Sequence, residues 1–152
     1  MRWMPVLSLR FCSSFMLVKT YLIDDDTLSI YLTEQLLRAE EFSTSISTFH
    51  SAQQALGRLV QDTAGTPPQV VFLDLNMPLM NGWQFLDALQ PYRQELLGRC
   101  HIYILTSSLA LTDLEKAREY DLVSGLIHKP IDTEEIRAIQ ASLESPDIPE
   151  PM

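Results

Sequence analysis

Acidic, hydroxyl and lysine side chains follow four of the short apolar runs in this sequence, each at the carboxyl end of its run. Asp24, Asp25 and Asp26 follow the first run, Asp74 the third, Thr106 the fourth and Lys129 the fifth. A carboxylate that faces a cation, a lysine ammonium and a hydroxyl is suited to phosphoryl transfer. These residue types therefore predict a phosphoryl-transfer site, provided that the fold brings them together.

The aspartates also predict a metal site. Several carboxylates held close together repel one another unless a cation neutralises them, and hard oxygen ligands with room for water favour Mg²⁺. We expect Asp24 and Asp25 to hold Mg²⁺ directly or through water. Asp74 and the main-chain carbonyl of Asn76 complete the predicted ligand set.

The remaining roles follow from the same chemistry. Asp74 is the predicted phosphoacceptor, Thr106 donates a hydrogen bond to one phosphoryl oxygen, and Lys129 pairs with another. Taken singly, each residue also has a structural interpretation. Asp26 is the expected helix cap after the first run, and Thr106 or Ser108 is a second candidate cap.

The apolar runs predict the framework that positions these residues. They cover residues 20–23, 43–49, 70–73, 101–105 and 122–127, and they alternate with helix-period segments. This is the pattern of β-α units around a parallel sheet. The second run is polar over residues 43–48, which indicates an edge strand.

Periodicity alone leaves the order of the five strands open. The commonest solution is a flavodoxin-like doubly wound α/β fold, a five-stranded parallel sheet of order 2-1-3-4-5 with helices on both faces, and we predict it here. In such a sheet, ligand sites lie at the carboxyl ends of the strands near the point where the strand order reverses.

The helices are predicted from apolar residues at three- and four-residue steps. Pro91 is expected to end the third helix, and Thr112 to Glu115 has the spacing of a capping box. Asn81-Gly82 is expected to form a turn, and Trp83 to be a packing residue. The predicted apolar stripes are Leu28, Leu32, Leu36 and Ala39; Ala52, Ala55, Leu56, Leu59 and Val60; and Ile136, Ile139 and Leu143.

Four motifs, in this order and at these intervals, resemble the receiver-domain signature of response regulators, in the chemotaxis-regulator-like superfamily. They are Leu22 to Asp26, Val71 to Pro78 with Asn81-Gly82, Ile104 to Ser107, and Lys129-Pro130. The resemblance covers roughly residues 18–143. It implies a two-component phosphorelay protein that takes phosphate from a sensor histidine kinase or a histidine phosphotransfer protein and depends on Mg²⁺. It also implies a cis Lys129-Pro130 bond, later hydrolysis of the acyl phosphate, and no enzymatic activity beyond its own phosphorylation and dephosphorylation.

Two positions depart from the family pattern. Many receivers have an aromatic switch residue three positions before the lysine, where this chain has Leu126, and Phe after the proline, where it has Ile131. A rotating aromatic ring at position 126 is therefore excluded as the output signal. Phosphoacceptance itself needs neither residue.

Length and charge limit the remaining possibilities. The 152 residues fit one domain, which we expect to be a stand-alone receiver over residues 17–144. Residues 1–16 are expected to be a disordered leader or a mis-called start, and residues 145–152 a flexible tail.

The formal net charge of −9 argues against nucleic acid as a partner, and no apolar run is long enough for a membrane span. Cys12 and Cys100 are interpreted as reduced thiols of a cytoplasmic protein.

Two other functions are compatible with parts of this pattern. A pseudo-receiver would keep the fold as a binding module without accepting phosphate. A phosphohydrolase similar to the haloacid dehalogenase group would need a general acid two residues after the nucleophile, where this chain has Asn76. For a true receiver, the partner downstream is either an effector protein or a further phosphotransfer protein, contacted through the last two helices and the last strand.

Overall fold

Five parallel strands and the helices that connect them make up the fold. The computed structural model describes residues 19–108 and 110–144, so the predicted leader and tail lie outside the described residues. The strands are β1 (Thr20–Ile23), β2 (Ile46–Phe49), β3 (Val70–Asp74), β4 (His101–Thr106) and β5 (Val123–His128). The helices are α1 (Thr27–Ala39), α2 (Ala52–Asp62), α3 (Gly82–Leu89), α4 (Arg93–Leu96), α5 (Leu111–Ala117) and α6 (Thr133–Glu144).

The strand order is β2-β1-β3-β4-β5 and every neighbouring pair is parallel, which confirms the predicted fold. The polar second run does form an edge strand, but only from Ile46 onward. Before it, the Ser43 hydroxyl donates to the Ser45 carbonyl and accepts from the Ser45 N–H. Local side-chain bonds of this kind compete with strand pairing, which explains why the strand is shorter than predicted.

Each face of the sheet has its own apolar core, because successive side chains of a strand point to opposite faces. On β3, Val71 and Leu73 pack towards α2 and α3, whereas Val70 and Phe72 pack towards α1 and α6. All five residues of β3 are buried, as expected for a central strand that is covered on both sides.

Helix α1 packs with a different face from the one predicted. The sequence indicated a stripe through Leu28 and Leu32, but these side chains are 64% and 57% exposed. The buried residues are Ile30, Thr33 and Leu37 instead. Two apolar stripes overlap on this helix, and the choice between them depends on its contacts with the sheet. The other stripes are confirmed at Ala52, Ala55 and Leu59, and at Ile136 and Ile139.

The helix boundaries are set by local caps. Asp26 caps α1, as expected, by accepting hydrogen bonds from the N–H groups of Leu28 and Ser29. The capping box predicted at Thr112 is wrong, because α5 already begins at Leu111 and has no side-chain cap. Pro91 lies in a 3₁₀ turn, Gln90–Tyr92, directly after α3, which agrees with its predicted role. Within the described residues, no helix combines the length and apolarity that a bilayer span requires.

Candidate functional site

Three carboxylates meet at the carboxyl edge of the sheet. Strands β1 and β3 are neighbours, and Ile23 pairs with Leu73. Asp24 and Asp74 are the next residues of the two chain segments, so they lie at the same level of the sheet edge. One oxygen from each of Asp24, Asp25 and Asp74 lies within 4.8 Å of the others. Asp24 and Asp74 are buried whereas Asp25 is exposed, so the cluster opens to solvent on one side.

Lys129 reaches the same cluster from the other half of the chain. Its Nζ lies 2.7 Å from Asp24 Oδ2 and 3.2 Å from Asp74 Oδ1. The main chain brings it there, because the Lys129 N–H continues the pairing of β4 and β5 by donating to the Thr106 carbonyl at 2.8 Å. The Lys129-Pro130 peptide bond is cis. The ammonium group thus bridges two carboxylates that are far from it in sequence.

The charges in this cluster shift one another's pKa. Burial, and then the negative charge of Asp24, raise the pKa of Asp74 to about 6, although Lys129 counteracts part of the shift. Burial alone would lower the pKa of Lys129, but the hydrogen bond and charge of Asp24, together with the charge of Asp74, raise it above its ordinary value. At neutral pH the cluster therefore combines carboxylates with one ammonium group and carries excess negative charge.

Asp24 is held in place by two bonds. One carboxylate oxygen accepts a hydrogen bond from the Asp26 N–H at 2.9 Å, and the other accepts from Lys129 Nζ. Since Asp26 itself caps α1, the start of that helix fixes the position of Asp24. Asp25, between them, is left facing solvent.

Thr106 lies at the end of β4, one residue beyond Leu105, which pairs with Asp74. Its side chain is 1% exposed. The hydroxyl donates to the Ser108 carbonyl at 3.0 Å and accepts from the Ser108 N–H at 3.1 Å. The predicted bond from Thr106 to a phosphoryl oxygen therefore requires this hydroxyl to release the Ser108 carbonyl.

The loop after Asp74 is held close to the strand by Gly82. A Cβ atom at this position would lie 2.9 Å from the Asp74 carbonyl oxygen, and the Gly82 N–H donates to the Leu75 carbonyl. Sequence reasoning expected a turn that uses a positive φ, whereas the glycine is needed for this close approach; the residue before it, Asn81, forms a capping box with Gln84 at the start of α3. Asn76, the predicted carbonyl ligand, is exposed on this loop two residues after Asp74.

Leu126 and Ile131, the two departures from the family pattern, both pack on the core. Leu126 lies partly buried against the cluster on the α2 and α3 face, and Ile131 is 5% exposed in the opposite cluster. Sequence reasoning missed the cavity next to Lys129, which has a volume of about 270 Å³ and is lined by Leu28 and Leu32 of α1. The sequence signal for it was the presence of two apolar stripes on α1, because only one of them can pack on the sheet and the other is left exposed.

Comparison with known proteins agrees with this fold. The family described as "Response regulator receiver domain" matches residues 20–141, most of the chain. The chain therefore belongs to the response regulator receiver family, the receiver domains of two-component systems. None of the curated proteins matches it significantly.

Solved structures show the same resemblance. A two-component response regulator from Cytophaga hutchinsonii is 26% identical, with a TM-score of 0.80 over 86% of this chain and 98% of that chain. A response regulator receiver protein from Dyadobacter fermentans DSM 18053 is 27% identical, with a TM-score of 0.72 over 80% and 94%. A two-component response regulator from Legionella pneumophila is 26% identical, with a TM-score of 0.70 over 84% and 98%.

Proposed function

We propose that this receiver domain accepts a phosphoryl group on Asp74, with Mg²⁺. It signals through a partner protein that distinguishes the phosphorylated from the unphosphorylated state. The observation that carries the proposal is the contact of one lysine, Lys129, with two carboxylates at the carboxyl edge of the sheet. The donor is a phosphohistidine of a sensor histidine kinase or of a histidine phosphotransfer protein.

Asp74 is the nucleophile in this proposal. One of its carboxylate oxygens attacks phosphorus, a P–O acyl phosphate bond forms, and the P–N bond of the phosphohistidine breaks. A pKa of about 6 leaves most of the Asp74 carboxyl ionised at pH 7.5, so the nucleophile is available without a separate base. The same chemistry applies to a small acyl phosphate, from which acetate is the leaving group.

The residues at the site fit a divalent cation. Asp24, Asp25 and Asp74 bring three carboxylates within 4.8 Å, and Lys129 pairs with two of them, Asp24 and Asp74. Oxygen ligands and a solvent-facing side match the preference of Mg²⁺, which usually keeps several waters. Asp24 and Asp25 would hold the ion, with Asp74 and the Asn76 carbonyl. When bound, Mg²⁺ supplies positive charge beside the phosphoryl oxygens.

Lys129 and Thr106 stabilise the transferred group. Lys129 Nζ is already 3.2 Å from Asp74 Oδ1, so it can pair with a phosphoryl oxygen attached there. The Thr106 hydroxyl donates to that group after leaving the Ser108 carbonyl, which changes the start of the segment between β4 and α5. This rearrangement is the proposed first step of the signal.

The signal leaves through the surface around α5, β5 and α6. Because Leu126 replaces the aromatic switch residue, we propose that displacement of the segment after Thr106, rather than rotation of a ring, alters this surface. An effector that binds the phosphorylated state and a protein that receives the phosphate are both consistent with this. The proposal includes a cytoplasmic location, to which the buried and unpaired thiol of Cys100 is suited.

Intact mass spectrometry after incubation with acetyl phosphate and Mg²⁺ at pH 7.5 tests the proposal. We expect one added phosphoryl group in the wild type and none in Asp74→Asn, or in the wild type with EDTA. Asp121→Asn is the matched control, because this aspartate pairs with Arg93 on the surface before β5 and should leave incorporation unchanged.

A wild type that gains no mass under these conditions, and none from phosphorylated sensor kinases, would contradict the proposal and favour a pseudo-receiver. Repeated turnover of a phosphate monoester in excess over protein would instead indicate a phosphohydrolase. Once phosphorylation is established, capture of partners with Mg²⁺ and beryllofluoride, a phosphate mimic, distinguishes an effector from a relay protein. An effector should be retained only in the presence of the mimic.

A further inference from the structure

An apolar cavity lies beside the acidic cluster, between α1 and the segment that joins β5 to α6. Leu28 and Leu32 line it from α1, and Pro130 and Ile131 line it from the joining segment. Its volume of about 270 Å³ is below the range of about 300 to 1,000 Å³ that is typical of small-molecule sites. The cavity is therefore better suited to a few side chains of a peptide segment than to a whole small molecule.

The apolar surface continues outside the cavity along α1. Leu28, Tyr31 and Leu32 are each more than half exposed, and their spacing of three and four residues places them on one face of the helix. No other part of the described chain covers this face. Exposed apolar residues that adjoin one another and continue into a cavity indicate an interaction site, whereas single exposed residues do not.

The chain itself contains a segment of matching composition. The N-terminal segment, residues 1–18, lies outside the described residues; it is rich in large apolar residues and contains Arg2 and Arg10 but no acidic residue. All Asp and Glu residues of the chain lie in residues 19–152. Asp26 lines the cavity, and Asp25 beside it is exposed. A basic and apolar segment thus complements an apolar cavity that has an acidic rim.

The N-terminal segment is also long enough to reach the cavity. It joins the fold at Lys19, before β1, at the amino edge of the sheet, whereas the cavity lies beside Lys129 at the carboxyl edge. The 4 residues of β1 separate these edges by about 13 Å. Eighteen extended residues span up to about 60 Å, and the seven between Cys12 and Lys19 span about 23 Å. The segment can therefore fold back without any change in the described fold.

We propose that the N-terminal segment folds back into this cavity and restricts access to Asp74. Its apolar side chains occupy the cavity, and its two arginines face the exposed carboxylates at the rim. Because Lys129 lines the cavity and contacts Asp74, a segment that binds there lies beside the acceptor carboxylate. The contact is autoinhibitory, and this part of the inference rests on the proposed function.

Disulfide trapping in the full chain tests the docking, because Cys12 lies within the N-terminal segment. Ser29→Cys introduces a thiol among the residues that line the cavity and keeps its leucines. Ser47→Cys is the matched control: Ser47 is also partly exposed, and it pairs with Tyr21, close to where the N-terminal segment joins the fold. Cys100 is buried and does not compete.

Each chain is equilibrated at low concentration in a glutathione redox buffer. The fraction of intramolecular disulfide then gives the effective concentration of the Cys12 thiol at each position. We expect this effective concentration to be at least tenfold higher for Ser29→Cys than for Ser47→Cys.

Charge reversal in the N-terminal segment tests the role of the acidic rim. Arg10→Glu, added to Ser29→Cys, should lower the effective concentration at least threefold, because like charges then face each other. Arg99→Glu makes the same change of charge on an exposed residue just before β4, at the amino edge, and should have no effect.

The rate of phosphoryl gain from acetyl phosphate tests the restriction of access, in chains that carry only the two native cysteines. We expect Arg10→Glu to react at least three times faster than the wild type, because its N-terminal segment leaves the cavity more often. Arg99→Glu should react at the wild-type rate, which excludes a general effect of net charge on an anionic donor.

Equal effective concentrations at the two positions would overturn the docking. Disulfide-linked dimers as the main product of Ser29→Cys would also overturn it, since the cavity would then face a second copy. Selective trapping without a faster reaction in Arg10→Glu would overturn the restriction of access. If no chain gains phosphate, the proposed function fails and the restriction fails with it, while the trapping result still decides the docking.

Discussion

At the scale of single residues, Lys129 balances only part of the negative charge of the cluster. Its ammonium group contacts Asp24 and Asp74, whereas Asp25 faces solvent. If the cluster binds Mg²⁺ as proposed, the ammonium group would compete with the ion for oxygens of Asp24 and Asp74. The lysine that is expected to help phosphoryl transfer should therefore weaken the binding of Mg²⁺ in the absence of phosphate.

Replacing Lys129 with methionine should tighten Mg²⁺ binding. The Lys129 ammonium group lies 2.7 and 3.2 Å from oxygens of two predicted ligands, so it would be close to a bound ion. Two unit charges about 4 Å apart interact by about 1 to 4 kcal/mol at effective dielectric constants between those of water and the protein surface, and the variant removes this repulsion. We expect about a tenfold lower Kd in Lys129→Met by calorimetric titration at pH 8. Lys116→Met removes the same charge from above the Trp83 ring and serves as control. An unchanged or higher Kd in Lys129→Met would contradict this account.

A second charged group, Asp62 at the end of α2, has a structural role. It accepts hydrogen bonds from the buried Tyr21 hydroxyl and from Lys19 Nζ. Burial alone would raise the pKa of Asp62, but these two bonds outweigh it and hold the pKa below its ordinary value of 3.8. Such a group stabilises the fold above pH 3.8, and the stabilisation is lost as the pH falls through the lower pKa of the folded state.

Asp62→Asn should therefore lower the free energy of unfolding at pH 7 by about 1 to 2 kcal/mol. The difference from the wild type should shrink as the pH falls below about 4. Urea unfolding between pH 3 and pH 7 measures both effects. Asp121→Asn, which removes an exposed ion pair, should change the free energy by less than about 1 kcal/mol. A difference that stays constant with pH would show that the charge of Asp62 is not responsible.

At the scale of elements, the end of α1 has the hydrogen-bond pattern of a Schellman motif. The Glu41 N–H bonds to the Arg38 carbonyl and the Phe42 N–H to the Leu37 carbonyl, while Glu41 has a φ of 52°. Phe42 and Leu37 are both fully buried in the core on that face. The position between helix and turn is the one where glycine is most favourable.

Glu41→Gly should stabilise the protein by about 1 kcal/mol, because glycine adopts a left-handed conformation without the cost that a Cβ atom imposes. The expected result is a higher midpoint in thermal or urea unfolding. The reverse substitution, from glycine to another residue, should be favourable inside a helix. Gly57 lies within α2, so Gly57→Ala should also stabilise the protein, because alanine has the higher helix propensity. Destabilisation by Glu41→Gly would mean that the Glu41 side chain makes a contribution larger than the strain.

A further link between elements joins α3 to the segment that follows α5. The Trp83 ring stacks on Tyr120 with centroids 5.8 Å apart, and the Tyr120 hydroxyl donates to Asp87 on α3 at 2.7 Å. The Lys116 ammonium group lies over the Trp83 ring, with Nζ 5.0 Å from the ring centroid. Trp83 is thus a packing residue, as expected, and it connects the first turn of α3 to Lys116 of α5 and to Tyr120.

At the scale of the whole molecule, β3 connects the two cores and ends at Asp74, the proposed acceptor. Phe72 contacts Phe42, after α1, and Tyr103 on β4, with ring centroids 5.7 and 6.2 Å away. It is fully buried. Its ring therefore helps to hold three separate parts of the chain in the arrangement that positions Asp74.

Phe72→Ala should lower the free energy of unfolding by about 3 to 5 kcal/mol, because it removes buried aromatic surface and leaves a cavity. Phe72→Leu should cost less, since it keeps most of the volume. Urea unfolding followed by circular dichroism measures both. Leu97→Ala, on the surface, should change stability little. A loss of less than about 1 kcal/mol in Phe72→Ala would show that the core on the α1 and α6 face does not depend on this ring.

The sequence by itself determined the fold class and the members of the site. Apolar runs alternating with helical stripes indicate β-α units, and parallel strands bring their carboxyl ends to one edge, so Asp24, Asp74, Thr106 and Lys129 follow from local pattern alone. The cap at Asp26 is equally local. These features depend on residues near one another in the chain.

Only the tertiary structure decided which face of a helix is buried and which contacts the side chains of the site make. On α1, Leu28 and Leu32 form an apolar stripe that fits helix periodicity as well as Ile30 and Leu37 do. Contact with the sheet, and not periodicity, determined that Ile30 and Leu37 are the buried pair. Likewise, sequence cannot say that Lys129 bridges Asp24 and Asp74, that Thr106 is bonded to Ser108, or that Leu79 is held at a positive φ. Such choices depend on packing and charge between segments far apart in sequence, and those interactions exist only once the chain is folded.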